Sequence, residues 1–239
     1  MPDLSAPPAL AEKLVYANRI LYDQGIVDGL GHVSVRHDSA PGVFLLSCNR
    51  APAMVMPRDI VCYDLDAEAV SGGAERPYLE RFIHSEIYRA RPDVVAVVHS
   101  HSPSVIPFGV TGNRLRPIFH MAGFLGSGSS HFEIRDVGGS TDMLIRNREL
   151  GRALAQSLGE NTCVLMRGHG STVVGGSIEQ VVYRAIYAEV NAKLQAQSLV
   201  MGAITYLTTE EAGLAAAAND GQIGRSWDLW RRRIGALEA

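Results

Sequence analysis

Residues 94–105 read VVAVVHSHSPSV, and the reading of this stretch decides the fold. Pro92 and Pro103 bracket it, which leaves too little chain for a helix. Its β-branched residues predict a fully buried strand. Side chains two apart in a strand share a face. His99 and His101 therefore project together from the strand's end. Paired neutral imidazoles suit a metal ion, although an H-x-H pair taken alone is commonly incidental.

Two neighbouring features sharpen this reading. Upstream, ERFIHSEIYRAR (80–91) predicts a helix with Phe82, Ile83 and Ile87 along one side, ended by Pro92. A helix running out over 80–91 and a strand returning over 94–101 bring the helix start near the strand end. Glu80 can then approach His99 and His101, although a carboxylate in a first helical turn is often only favoured by the helix dipole. Downstream, LMRGHGST (165–172) sets His169 at a second apolar strand end. Gly168 and Gly170 flank it, where glycine permits unusual backbone angles and close approach. Three histidines and one carboxylate make a four-ligand divalent site. Glu80, if displaced by substrate, would be left as a base.

The rest of the chain sets bounds. Its 239 residues are 46% apolar and 20% charged, with a net charge of −3, which gives no argument for nucleic acid or an anionic membrane. Three cysteines, with no C-x-x-C pair, give no support for a zinc finger or redox dithiol and fit a reducing cytoplasm. The start of the chain lacks the pattern of a secretory signal, and no apolar run approaches a membrane span, so a cytoplasmic protein is expected.

Periodicity predicts a helix over ALAEKLVYANRILYDQG with Gly25 as its stop. Strands are predicted at HVSVRHD, GVFLLSC and DIVCYDL, with a Pro-containing loop between the last two and a Gly-rich turn or hairpin loop over 67–77. The segment 140–159 reads as a helix capped by Ser or Thr. Residues 162–176 read as two strands around the glycine-flanked His169. A long helix follows, with Ser177 and Gln180 as a capping box. TTEEAGLAAAA predicts another short helix, and Trp227 and Trp230 lie in a terminal amphipathic turn. The expectation is one domain over 1–239, a mixed sheet with helices on its faces. His37, His84 and His131 read as structural.

GHVSVR (31–36), the Glu80 helix, AVVHSHS and RGHG occur in an order and spacing that resemble the class II aldolase/adducin family. The resemblance runs from about residue 8 to about residue 207. It implies an α/β three-layer α/β/α sandwich around a mainly antiparallel sheet. It also implies a fourfold homotetramer with active sites at subunit borders, and the tail from about 208 to 239 would suit such a border. By the same resemblance His99, His101 and His169 bind one divalent metal per subunit (zinc, manganese, cobalt or iron), and Glu80 is the acid/base.

Departures from the sugar-phosphate members bear on substrate. His32 stands where they carry asparagine. SCNRAPAMVMP (47–57) replaces a small Ser/Thr-Gly phosphate loop, and proline donates no N–H. PYLE (77–80) lacks the serine pair expected before the acid/base. The remaining pattern resembles a subgroup of decarboxylases of hydroxylated aromatic, hydroxypyridine-dicarboxylate or ring-cleaved dienoic acids. The expectation is a metal-dependent carbon–carbon lyase acting on a small-molecule polycarboxylate. An aldolase on a hydroxy-keto acid or sugar, a non-catalytic adducin-like module and an iron oxygenase are the alternatives. Arg50 is the candidate bidentate carboxylate clamp, or else a solvated loop residue. His120 is a candidate for proton transfer, or a core histidine. His32 is a candidate substrate contact. Tyr187 would close the pocket, or pack in the core.

Overall fold

The structure is a computed structural model that describes residues 4–71 and 76–237. In chain order its elements are α1 (Pro8–Asp23), β1 (His32–Arg36), β2 (Val43–Ser47), β3 (Ile60–Asp64), β4 (Ala69–Ser71), α2 (Arg81–Ala90), β5 (Ala96–Ser100) and α3 (Ile106–Val110). They continue with β6 (Ser130–Phe132), α4 (Arg135–Gly138), α5 (Arg148–Leu158), β7 (Cys163–Met166), β8 (Gly170–Gly175), α6 (Ile178–Met201), α7 (Thr209–Asp220) and α8 (Ile223–Ile234). The Gly-rich turn expected over 67–77 is described only at its flanks, because 72–75 lie outside the described residues.

The eight strands form one sheet in the order β4-β3-β2-β1-β5-β8-β7-β6. Each neighbouring pair is antiparallel except β6 with β7. The 94–105 stretch thus supplies an interior strand, and its apolar run is buried on both faces as expected. Val98 and Ala96 face a core built with α1, α6 and α8. Val97 faces a second core built with Ile83 and Ile87 of α2 and Leu154 and Leu158 of α5. Helices on both faces of a mainly antiparallel sheet make the expected three-layer α/β/α arrangement. Among the described residues no helix is long and apolar enough to cross a membrane.

Two helix starts differ from expectation. α5 is capped by Asn147, whose side chain accepts the Leu150 N–H at 2.9 Å, and not by Ser140 or Thr141. Thr141 and Asp142 instead accept the N–H groups of Met143 and Leu144 two residues on, a local turn chemistry that competes with helix. At α6 Ser177 accepts the Gln180 N–H, but the Gln180 side chain reaches past the cap to accept the Gly176 N–H at 2.7 Å. Half of the predicted capping box is therefore replaced, because a longer reach meets a donor beyond the helix.

Candidate metal centre

His99 follows directly on the apolar run 94–98. By the alternation of β5 it points with Val97 toward the α2/α5 layer. It is fully buried, and it pairs across the sheet with His32 of β1 and Thr172 of β8. His101 follows just past the strand, with its Nε2 3.2 Å from His99 Nε2. His169 lies in the tight turn between β7 and β8. Gly168 takes φ +64° there, and Gly170 brings the backbone against Ser100, which are the two roles the flanking glycines predicted.

Glu80 sits at the N-cap position of α2 but leaves its own helix uncapped. Its Oε1 accepts the N–H of Ile145 at 2.9 Å. Its Oε2 lies 3.6 Å from His99 Nε2 and 3.5 Å from His169 Nε2. At those distances the contacts are charge approaches rather than hydrogen bonds. One ligand atom from each of Glu80, His99, His101 and His169 falls within 4.8 Å of the others.

The donor set fits a divalent ion on two grounds. Both ring nitrogens of His169 are buried without a hydrogen-bond partner among the described residues, which is costly unless something else coordinates them. The second ground is spacing: ligands about 2.0–2.1 Å from a tetrahedral centre are about 3.3–3.4 Å apart. The measured separations of 3.2, 3.5 and 3.6 Å bracket that edge. Thr172 Oγ1 stands 3.5 Å from His99 Nδ1, on the side of the ring away from the cluster.

Electrostatics agree with a ligand set. Burial pushes the Glu80 carboxyl up, but the imidazoles of His169, His99 and His32 outweigh it and hold the group far below the usual carboxylate range. Burial holds His99 well below its ordinary value against the pull of Glu80, and lowers His101 as well. An ionised Glu80 beside neutral His99 and His101 is the protonation state a divalent metal requires.

Of the other residues singled out, His32 joins the cluster's edge. Its ring lies 5.1 Å from that of His99 and 4.7 Å from that of Tyr78. Arg50 turns its guanidinium to Asp59, Nη1 to Oδ2 at 3.4 Å, while its carbonyl accepts the Tyr78 hydroxyl. The loop before it and the β3 start thus bring Arg50 to the neighbourhood of Tyr78 and His32 but not into the cluster. His120 is exposed, in a turn of residues 120–125 that packs on α6 and α7. Tyr187, half-buried on α6, has its ring centroid 4.5 Å from that of Tyr183, the two rings tilted to each other. Both belong to the layer on the other face of the sheet from Glu80 and His99.

His84, read as structural, is tied to the site. Burial pushes it down to about 3, and its Nε2 lies 2.7 Å from His32 Nδ1. Two sequence signals bear on it: His84 falls one helical turn after Glu80, and Ser34, its other partner, falls two residues after His32 on the same strand face. Ile145 has no such signal, since it contributes only a backbone N–H.

The sequence profile of the "Class II Aldolase and Adducin N-terminal domain" family matches residues 12–196. The chain is 39% identical to "Decarboxylase tropJ" of Talaromyces stipitatus, over 90% of each chain. It is 33% identical to the "3,4-dihydroxyphthalate decarboxylase" of Arthrobacter keyseri, over 95% of this chain and 94% of the relative. The structure superimposes on an "L-fuculose 1-phosphate aldolase" with a TM-score of 0.79, covering 92% of this chain and all of that one; at 19% identity this bears on the fold alone.

Proposed function

The chain belongs to the class II aldolase and adducin family, and among its relatives are decarboxylases and an aldolase; from that premise we propose that it decarboxylates a small hydroxylated aromatic or heteroaromatic polycarboxylate. The observation that carries this reading is the convergence of Glu80 with His99, His101 and His169 beside a loop unsuited to phosphate. Pro52 and Pro57 begin its two short turns and donate no N–H, which leaves the loop poorer in the backbone donors that a phosphorylated sugar would need. Similarity to decarboxylases over nine-tenths of the chain supports the same reaction.

In this reading His99, His101 and His169 hold one divalent ion. A divalent ion bound there supplies Lewis-acid stabilisation for negative charge on a substrate oxygen. Glu80 accepts the proton of the substrate hydroxyl through Oε2, with Oε1 kept in place by Ile145. It returns that proton to the ring carbon bearing the carboxylate, CO2 departs, and its bonding electrons stay with the ring. The hydroxyl is then reprotonated from water. His32 contacts the substrate, and Arg50 clamps a second carboxylate from the loop edge.

The same reading makes the active protein a homotetramer. His120 and Tyr187 face away from the cluster of their own chain, so they serve a site only from a neighbouring copy. Val200 and Met201, 89% and 87% exposed at the end of α6, supply apolar surface for such a contact. Light scattering would then give about four chains per particle.

Assay of purified protein against dihydroxyphthalates, hydroxypyridine dicarboxylates and sugar phosphates tests the reaction. CO2 release from one of the acids is expected. Aldehyde release from a sugar phosphate, with no CO2 from any acid, would overturn the proposal in favour of an aldolase.

A further inference from the structure

Residues 140–147 link α4 to α5 without regular structure, and three successive N–H groups of this linker each meet a side-chain oxygen. Met143 donates to Thr141 Oγ1 at 3.0 Å, Leu144 to Asp142 Oδ1 at 3.2 Å, and Ile145 to Glu80 Oε1 at 2.9 Å. Asp142 also pairs with Arg146. The first two acceptors are local. The third belongs to the metal cluster and lies 65 residues away in the chain.

Two non-glycine residues among the described ones take a positive φ. Ala67 does so in the tight turn between β3 and β4, where such angles are ordinary. Met143, at φ +73°, does so in this linker. A methionine side chain crowds the backbone in that region, so chain closure alone would select glycine or asparagine there. Rotation about the Met143 N–Cα bond swings everything after it. At a negative φ the Leu144 and Ile145 N–H groups would leave Asp142 and Glu80, while the Met143 N–H still met Thr141. The strain therefore goes with the direction of the two later donors. The Met143 side chain meanwhile reaches the turn that carries His169. Its Sδ accepts an Arg167 Nη2–H at 3.9 Å, and its Cε lies 3.6 Å from where a Cβ on Gly168 would stand. Ile145, fully buried in the α2/α5 core, pins the far end.

We propose that residues 141–145 form a backbone clamp on Glu80, with Asp142 and Met143 as positioning residues that act through the Ile145 N–H. The clamp keeps Oε1 occupied and so holds Oε2 toward His99 and His169. It rests on the reading above for what Glu80 does to the substrate, but not for the tie itself.

Amide hydrogen exchange of the zinc-loaded full chain reads the Ile145 N–H directly. The Leu154 amide of α5, in the same core, reports general opening. Asp142→Ala should speed Ile145 exchange about tenfold relative to Leu154. It should lower kcat for the acid by about three- to tenfold with KM little changed, the loss of one hydrogen bond. Asp142→Asn keeps an acceptor for Leu144 and should restore both readouts. Asp142 is exposed, so a merely structural role would move neither. Met143→Val is β-branched and resists the left-handed region, and it should act in the same direction as Asp142→Ala. Met143→Asn accepts that region without the thioether, so it should keep Ile145 protected and turn over faster than Met143→Val. The Asp142 pair decides the matter if Met143→Val does not fold. Unchanged Ile145 exchange in Asp142→Ala would overturn the clamp. Equal losses in Met143→Asn and Met143→Val would overturn it as well, by assigning the effect to the thioether. CO2 release with Ile145 exchange unmoved in the variants defeats the clamp alone; the expected exchange pattern with no CO2 from any acid defeats the decarboxylase reading alone.

Discussion

Glu80 Oε2 lies 3.5 Å from His169 Nε2, although one comes from the start of α2 and the other from the β7–β8 turn. Glu80 Oε1 is meanwhile held by Ile145, so only Oε2 faces the histidines. Glu80→Gln preserves shape and the Ile145 contact but cannot carry a proton. Turnover should fall about 10²–10⁴-fold, while metal content stays at about one ion per chain. CO2 release and elemental analysis of the same sample measure the two. Near-normal turnover would remove Glu80 from proton transfer.

His99 is the deepest of the three imidazoles, fully buried in an interior strand. His99→Ala should reduce bound metal from about one ion per chain to about a tenth or less, with loss of activity. Full activity in a metal-free His99→Ala protein would sink the metal mechanism.

Acid should weaken the metal-free fold. His84 is pushed down from an ordinary value of 6.5 to about 3, and burial lowers His32 and His99 in the same direction. Between those two values the unfolded chain binds more protons than the native one, so stability rises with pH across that window and is lost as pH falls through it. Urea midpoints at about pH 7.5 and about pH 5 should differ, with the lower midpoint at the lower pH. Equal midpoints would contradict a neutral buried histidine cluster.

Gly170 allows β8 to lie against the end of β5. A Cβ there would stand 2.1 Å from the Ser100 carbonyl oxygen, which is backbone and has nowhere to move. Gly170→Ala should destabilise the protein by about 3 kcal/mol or more and shift His169. Denaturant titration gives the first and metal content the second.

Much of the site was legible because it depends on local period and element length. The alternation of a strand sets His99 and His101 side by side. A helix of about three turns followed by a returning strand brings Glu80 to them. Flanking glycines marked the backbone of His169. Less was legible where a role depends on which layer a residue joins. Periodicity puts Tyr187 on a helix face but does not say which face of the sheet that helix covers. His120 lies in a short turn with no period of its own. The approach of Arg50 to Asp59, which lies just before the next strand, has no sequence period behind it, because a long side chain turns to whichever charge folding brings near.

By itself, the sequence set the principal strands and helices, the pairing of His99 with His101 at a strand end and the prolines of the 47–57 loop, since these follow from backbone period and residue chemistry. Only the tertiary structure decided which backbone N–H holds Glu80, that His84 stands behind His32, and that His120 and Tyr187 lie on the far layer. Those depend on register and packing between segments far apart in the chain. Hydrogen bonds of 2.6–2.7 Å such as those of His84 exist only once that packing is complete.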